Sequence, residues 1–225
     1  MNHSALLATA IVGMTVGIPT AAAETVPPPA ATVAAHSVTQ ATDHVTVRVP
    51  RTATYVGGDR FDLYGVADAE VQVFAEADAN KHLKKLYWIQ FERYWPSKPD
   101  LTHDYTKDRP MALWGTTTWL RSGPAAADAA TRPGSDREHV AAILKRAGYI
   151  IPAEVMNVRM VQLLDDPRGS GRGRDELMLI YSEDLAPTGK TLAQLRNGDK
   201  LGAEWTPIGE ELVERATKAF SVERK

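Results

Sequence analysis

The alternation of apolar and polar side chains is most pronounced at residues 84–95, Lys-Lys-Leu-Tyr-Trp-Ile-Gln-Phe-Glu-Arg-Tyr-Trp, where aromatic and β-favouring residues are concentrated. Successive side chains of a strand point to opposite faces. One face has the composition of a core, namely Tyr87, Ile89, Phe91, Arg93 and Trp95. The other face places polar groups among aromatics, namely Leu86, Trp88, Gln90, Glu92 and Tyr94. The segment therefore predicts a strand with one core face and a second face that is a candidate binding surface.

Weaker strand patterns occur on both sides of this segment. They predict strands at residues 44–49, 52–56, 69–77, 111–120, 155–164 and 176–185. Residues 78–81 predict a hairpin loop, and Gly115 predicts a bulge. The glycine-rich connection at residues 165–175 predicts a mobile hairpin loop.

Two principal helices are predicted in the C-terminal half. The residues from Ser135 to Glu138 match a capping box, which starts a helix at residues 136–147. Thr206 and Pro207 form a good start for a second helix, and residues 191–196 predict a short helical turn. Because strand pairs joined by short loops are antiparallel and the strands cluster before the helices, we expect an α+β fold with a mainly antiparallel sheet in a single domain.

The N-terminal residues predict export. An uncharged run at residues 5–18 is followed by Ala21, Ala22 and Ala23, which is typical of a cleaved signal peptide, residues 1–23. An uncleaved anchor helix is the alternative. Residues 24–43, with three consecutive prolines, predict an extended linker before a single domain at residues 44–225. Since the chain has no cysteine, we expect a bacterial periplasmic or secreted protein that needs no disulfide.

Composition and motifs exclude several functions. A formal net charge of -2 gives no field that would attract nucleic acid or an anionic membrane, and after signal cleavage we expect no stable membrane span. The chain has no nucleophile motif such as Gly-x-Ser-x-Gly and no HExxH spacing. We therefore assign no catalytic residue, no metal site and no cofactor from the sequence.

The candidate ligand-binding residues are Trp88, Gln90, Glu92 and Tyr94, because aromatic rings with an amide and a carboxylate are typical of pocket linings. The expected partner is a small, partly apolar molecule or another envelope protein. The alternative is an ordinary solvent face of a strand. A rival hypothesis is an envelope hydrolase that pairs Glu92 with Glu183, Asp184 or His103. A structural partner for another envelope protein is a third hypothesis.

Three segments resemble a group of uncharacterised exported bacterial proteins. They are Tyr-Trp-Ile-Gln-Phe-Glu at residues 87–92, Arg-Pro-Gly-Ser-Asp-Arg-Glu-His at residues 132–139, and residues 176–189. The resemblance covers residues 55–222. It implies an exported protein with a single domain, and it implies no activity.

Overall fold

The fold is dominated by antiparallel sheets. The computed structural model describes residues 24–127, 132–198 and 200–224, and the predicted signal peptide lies outside these ranges. It is 17% helical and 48% strand, which fits a mainly-β fold. The expected antiparallel sheet is thus confirmed. Among the described residues, no helix is both long enough and apolar enough to cross a membrane.

The strands of the described ranges are β1 (Ala31–Ala34), β2 (Ser37–Gln40), β3 (Val45–Arg48), β4 (Thr54–Leu63), β5 (Ala67–Ala77), β6 (Leu83–Tyr94), β7 (His103–Asp104), β8 (Arg109–Leu113), β9 (Thr116–Ala126), β10 (Glu154–Leu163), β11 (Arg172–Gly173), β12 (Asp175–Asp184), β13 (Arg196–Asn197), β14 (Lys200–Leu201) and β15 (Ser221–Arg224). The helices are α1 (Asp136–Arg146), α2 (Leu192–Leu195) and α3 (Trp205–Ala219), with a 3₁₀ turn at Ala186–Thr188.

Two antiparallel sheets form the body of the protein. The larger has seven strands in the order β4-β5-β6-β12-β10-β9-β8, and the smaller has the order β1-β2-β3-β15. The aromatic strand β6 therefore lies inside the large sheet, paired with β5 on one side and β12 on the other. Two-stranded ladders join β7 to β11 and β13 to β14.

The inner strands of the large sheet are covered on both faces. One face packs against the small sheet and α3 through a core that includes Val38, Val47, Tyr87, Ile89, Phe91, Leu177, Leu179, Leu212, Ala216 and Phe220. The other face packs against α1 through a core that includes Val71, Val73, Leu86, Trp88, Val140, Ile143, Leu144 and Met178. The solvent-face alternative for β6 is therefore wrong, because Gln90 is 0% and Glu92 is 9% exposed. A strand in the middle of a sheet that is covered on both sides has no solvent face.

The predicted extended linker at residues 24–43 is wrong. It contains β1 and β2, which continue the small sheet from β3. Val38 and Gln40 are buried on either side of the exposed Thr39, as expected for a strand with one face on the core. The backbone N–H groups of Ala30 and Ala31 also donate to the buried carboxylate of Glu70.

Two predicted strand boundaries are also wrong. The strand expected at residues 52–56 runs on through Gly57 and Gly58, where β4 has an irregular register against β5. The strand expected at residues 111–120 is a hairpin of β8 and β9. Trp114 and Gly115 form its turn with φ values of 52° and 82°, so the glycine marks a chain reversal rather than a bulge.

The helix predictions hold with adjustments at the ends. Ser135 caps α1 by accepting a hydrogen bond from the Glu138 N–H at 3.2 Å, but the Glu138 carboxylate accepts from Gly134 rather than from Ser135. The predicted turn at α2 is confirmed with Thr191 as its cap. The second long helix starts at Trp205, one residue before the predicted cap Thr206.

The connection expected to be a mobile hairpin loop joins β10 to β12 as a hairpin and has defined contacts. Asp165 accepts hydrogen bonds from the backbone of Arg174, and Asp166 accepts one from Gly171. Within it, β11 pairs with β7. This pairing brings the loop that contains His103 over the end of the large sheet.

We predict that Val38→Ala lowers the free energy of unfolding by about 2 kcal/mol, because it removes two methyl groups from a fully buried position. Urea unfolding measures the change. Thr32→Ala, at an exposed position of β1, is the control and should change stability by less than about 0.5 kcal/mol. Equal stabilities for both variants would mean that residues 24–43 do not belong to the folded unit.

Candidate functional site

A cavity of about 420 Å³ lies between the large sheet and α1. Its floor comes from β6, β12, β10 and β9, and its roof is α1. The floor residues lie in register across the sheet, since Trp88 is opposite Ile180, which is opposite Arg159, which is opposite Arg121. The lining consists of Leu83, Leu86, Trp88, Arg121, Ser122, Gly123, Pro124, Ala125, Ala127, Asp136, Arg137, Val140, Ala141, Leu144, Ile151, Val155, Asn157, Arg159, Met178, Ile180, Ser182 and Arg196.

One part of the cavity is apolar. Trp88, Met178 and Ile180 form its floor, and Val140 and Leu144 of α1 face them. These two helix residues are buried because the apolar stripe of α1 packs on the sheet. This part can hold the hydrocarbon or aromatic portion of a small molecule.

The other part of the cavity is basic. Arg121 and Arg159 both donate to the carboxylate of Asp108, at 2.9 Å and 2.6 Å respectively. Asp108 is buried, and one carboxylate cannot neutralise two guanidinium groups. Among the described residues, the buried Nε of Arg159 has no hydrogen-bond partner. This pair of arginines can therefore accept a further negatively charged group.

The lining carries more positive than negative charge. Arg137 and Arg196 add to the two arginines of the floor, and among the described residues Asp136 is the one acidic residue that lines the cavity. Burial raises the pKa of Asp136 above its ordinary value. The excess of arginine side chains in the lining favours an anionic ligand.

Three of the four predicted site residues form one hydrogen-bonded row. The indole N–H of Trp88 donates to Gln90 at 3.0 Å, and the amide of Gln90 donates to Glu92 at 3.0 Å. The ring of Tyr94 stacks on His103 with centroids 4.4 Å apart. Of these four residues, Trp88 lines the cavity. Gln90 and Glu92 are buried in the same strand and do not line it, and Tyr94 contacts His103.

The row ends at a buried pair of carboxyl groups. Glu92 of β6 and Glu176 of β12 are direct neighbours across the two strands, and they are 9% and 2% exposed. His103 lies between them, with Nδ1 3.2 Å from Glu176 and Nε2 3.9 Å from Glu92. The hydroxyl of Tyr105 donates to Glu176 at 2.6 Å.

Burial controls the charge of this group. Burial, and after it the nearby charge of Glu92, raises the pKa of Glu176 to about 8. Burial likewise raises the pKa of Glu92, while the hydrogen bond from Gln90 opposes that shift. Burial lowers the pKa of His103 to about 4, so its imidazole is neutral near pH 7.

The predicted pairing of Glu92 with Glu183 or Asp184 is wrong. Glu183 lies seven residues along β12 from the neighbour of Glu92, which corresponds to roughly 23 Å. It also points to the other face of the sheet, where it accepts hydrogen bonds from Arg215. Asp184 is a further residue away. The structure instead brings Glu92 together with Glu176 and with His103.

Glu176 and the arginine pair were not selected from the sequence. Glu176 begins the predicted strand at residues 176–185, but the strand register that places it opposite Glu92 is not encoded in a local pattern. Arg159 could have been selected from the sequence, because it is the one charged residue in the mostly apolar predicted strand at residues 155–164.

We predict that Glu176→Gln changes how stability depends on pH. Between the ordinary pKa of 4.5 and about 8, the unfolded chain ionises this group while the folded protein keeps it protonated. The stability of the unmodified protein therefore falls as pH rises through this window. The variant lacks this loss, so its stability relative to the unmodified protein increases from pH 5 to pH 8.

Urea unfolding at several pH values, in buffer with a chelator, measures this difference. Glu210→Gln, at an exposed position of α3, is the control and should follow the pH dependence of the unmodified protein. If the stability of Glu176→Gln has the same pH dependence as that of the unmodified protein, Glu176 does not retain its proton in the folded state.

Comparison of the chain with protein-family models, with curated proteins and with solved structures finds no match. The resemblance to exported bacterial proteins stays a prediction. The interpretation of the site therefore rests on its own geometry and charge.

Proposed function

We propose that this protein is an exported binding protein that holds a small molecule with an apolar body and an anionic group in the cavity under α1. The observation that carries the proposal is the division of one cavity into an apolar floor around Trp88 and a basic end around Arg159. The expected location is the bacterial periplasm or the extracellular medium. We further propose that the chain acts as a single α+β domain.

The size and lining of the cavity support a small molecule. Ligand pockets are typically about 300 to 1,000 Å³ and combine an apolar lining with a few polar groups that fix orientation. The cavity of about 420 Å³ is within this range. Burying an alkyl chain in its apolar part would contribute about 0.8 kcal/mol for each methylene group.

The arginines support an anionic group on that molecule. Guanidinium groups bind carboxylates and phosphates with two parallel hydrogen bonds. Arg159 is half-buried, and the side chain of Arg121 is 64% exposed, so a ligand can reach the pair from the mouth of the cavity. Arg137 and Ile151, which also line the cavity, are exposed as well.

An envelope protein partner and a hydrolase are less well supported. Ile150 and Ile151 are exposed next to the cavity, but two side chains do not make the patch of several hundred Å² that marks partner surfaces. Glu92 and Glu176 are 9% and 2% exposed and line only a small recess of about 60 Å³, which is too small for a polymeric substrate. The net charge of -2 continues to argue against a nucleic-acid ligand.

We predict that Ala141→Trp weakens the binding of dodecanoate at least tenfold, because the indole would fill part of the cavity beneath α1. Isothermal titration calorimetry measures the affinity. Ala142→Trp is the matched control, since the next residue of the same helix is exposed and does not line the cavity. Its affinity should stay within twofold of the unmodified protein. Equal losses in both variants, or a loss in neither, would contradict binding in this cavity.

We also predict that Arg159→Gln weakens the binding of dodecanoate about tenfold, as expected when one charged hydrogen bond is lost. The binding of dodecanol, which has the same chain and no charge, should change little. Arg146→Gln, at the exposed end of α1, is the control for the loss of one positive charge. If dodecanol binding falls as much as dodecanoate binding, Arg159 supports the cavity wall rather than an anionic group.

A further inference from the structure

We propose that Glu92, His103 and Glu176 bind one divalent transition-metal ion. This site is separate from the ligand cavity and does not depend on the proposed function. Each residue offers one ligand atom, and the three atoms lie within 4.8 Å of one another. With metal–ligand distances of about 2.0 to 2.2 Å, neighbouring ligand atoms in a tetrahedral site are about 3.3 to 3.6 Å apart. Small side-chain rotations therefore bring the three groups to bonding distance.

The backbone fixes the positions of the ligands. Glu92 and Glu176 are opposite each other on two paired strands in the middle of the large sheet. His103 is placed over them by the ladder between β7 and β11, in which His103 is opposite Gly173. Ligands on paired strands need little ordering when an ion binds, which favours binding.

The carboxyl oxygens of the site suit a cation. Two carboxyl groups face each other in a buried place, and among the described residues neither forms an ion pair with a lysine or an arginine. Buried charges in proteins are normally paired or coordinate metals. A divalent cation would compensate both carboxylates at once.

Within the described ranges, the imidazole of His103 also has an unpaired nitrogen that an ion could bind. Its side chain is 7% exposed, and its buried Nε2 has no hydrogen-bond partner among the described residues. An unsatisfied buried nitrogen is costly unless it binds a partner. This nitrogen lies on the side of the ring nearest the carboxylate of Glu92, at 3.9 Å.

Neighbouring side chains already hold the ligands in place. Tyr105 donates to Glu176, Gln90 donates to Glu92, and Tyr94 stacks on the ring of His103. Metal ligands are usually oriented by such contacts. One imidazole nitrogen with two carboxylate oxygens suits zinc and its transition-metal neighbours better than magnesium or calcium, which favour oxygen ligands and a larger coordination number.

Titration of the tag-free, chelator-treated protein with zinc chloride tests the proposal. We expect one equivalent to bind with micromolar or tighter affinity by isothermal titration calorimetry. Cobalt(II) chloride should give a visible absorption band of nitrogen and oxygen coordination that zinc displaces. The absence of stoichiometric binding by the unmodified protein would overturn the proposal.

His103→Gln and Glu176→Gln locate the ion. Each should weaken zinc binding at least a hundredfold and abolish the cobalt band, while circular dichroism shows that the variant is folded. His82→Gln is the matched control, because His82 lies beside Asp78 on the surface and would account for adventitious binding. If His82→Gln removes the ion and His103→Gln does not, the proposed site is wrong.

The test separates this site from the ligand cavity. Ala141→Trp should leave zinc affinity unchanged, and Glu176→Gln should leave dodecanoate affinity within twofold. Loss of zinc binding in Ala141→Trp would show that the cation belongs to the cavity and would overturn the assignment to the three side chains.

Discussion

The pairing of β6 with β12 is the constraint on which the rest of the structure depends. These strands lie in the middle of the large sheet and their central residues are covered on both faces, so the side chains of those residues must be packed or hydrogen-bonded. On one face this requirement is met by a core shared with α3 and the small sheet. On the other face the apolar residues pack under α1, and the polar residues form a row from Trp88 to Glu92. The cavity and the cluster of Glu92, His103 and Glu176, which are the two proposed binding sites, both lie on this second face.

That face has two distinct parts with different chemistry. Under α1 it leaves a cavity that combines an apolar floor with the paired arginines Arg121 and Arg159. Towards the loop of His103 it buries two carboxyl groups without an arginine or lysine partner among the described residues. Arg159 lies near both parts, because its guanidinium group is 5.1 Å from the ring centroid of Tyr105, which donates to Glu176. The first part suits an organic anion and the second suits a cation.

Local patterns predicted much of the secondary structure and less of the site. Capping residues located α1 and, to within two residues, the start of α3, and alternation located β5, β6, β10 and β12, because these signals depend on near neighbours in sequence. The strands at residues 31–40 were missed because only Val38 and Gln40 of β2 point firmly inward. Trp88 was found because aromatic residues stand out in any strand. Glu176 was missed because its pairing with Glu92 is set by long-range register, and Glu183 was chosen in error for the same reason.

A crystal structure of the protein in complex with dodecanoate tests the central claim most directly, since that claim concerns where a ligand lies. The account predicts density for the alkyl chain between Trp88 and Leu144, with the carboxylate within hydrogen-bond distance of Arg159. Density for the ligand at another place, with α1 packed closely on the sheet and the space above Trp88 filled by protein side chains, would contradict the account.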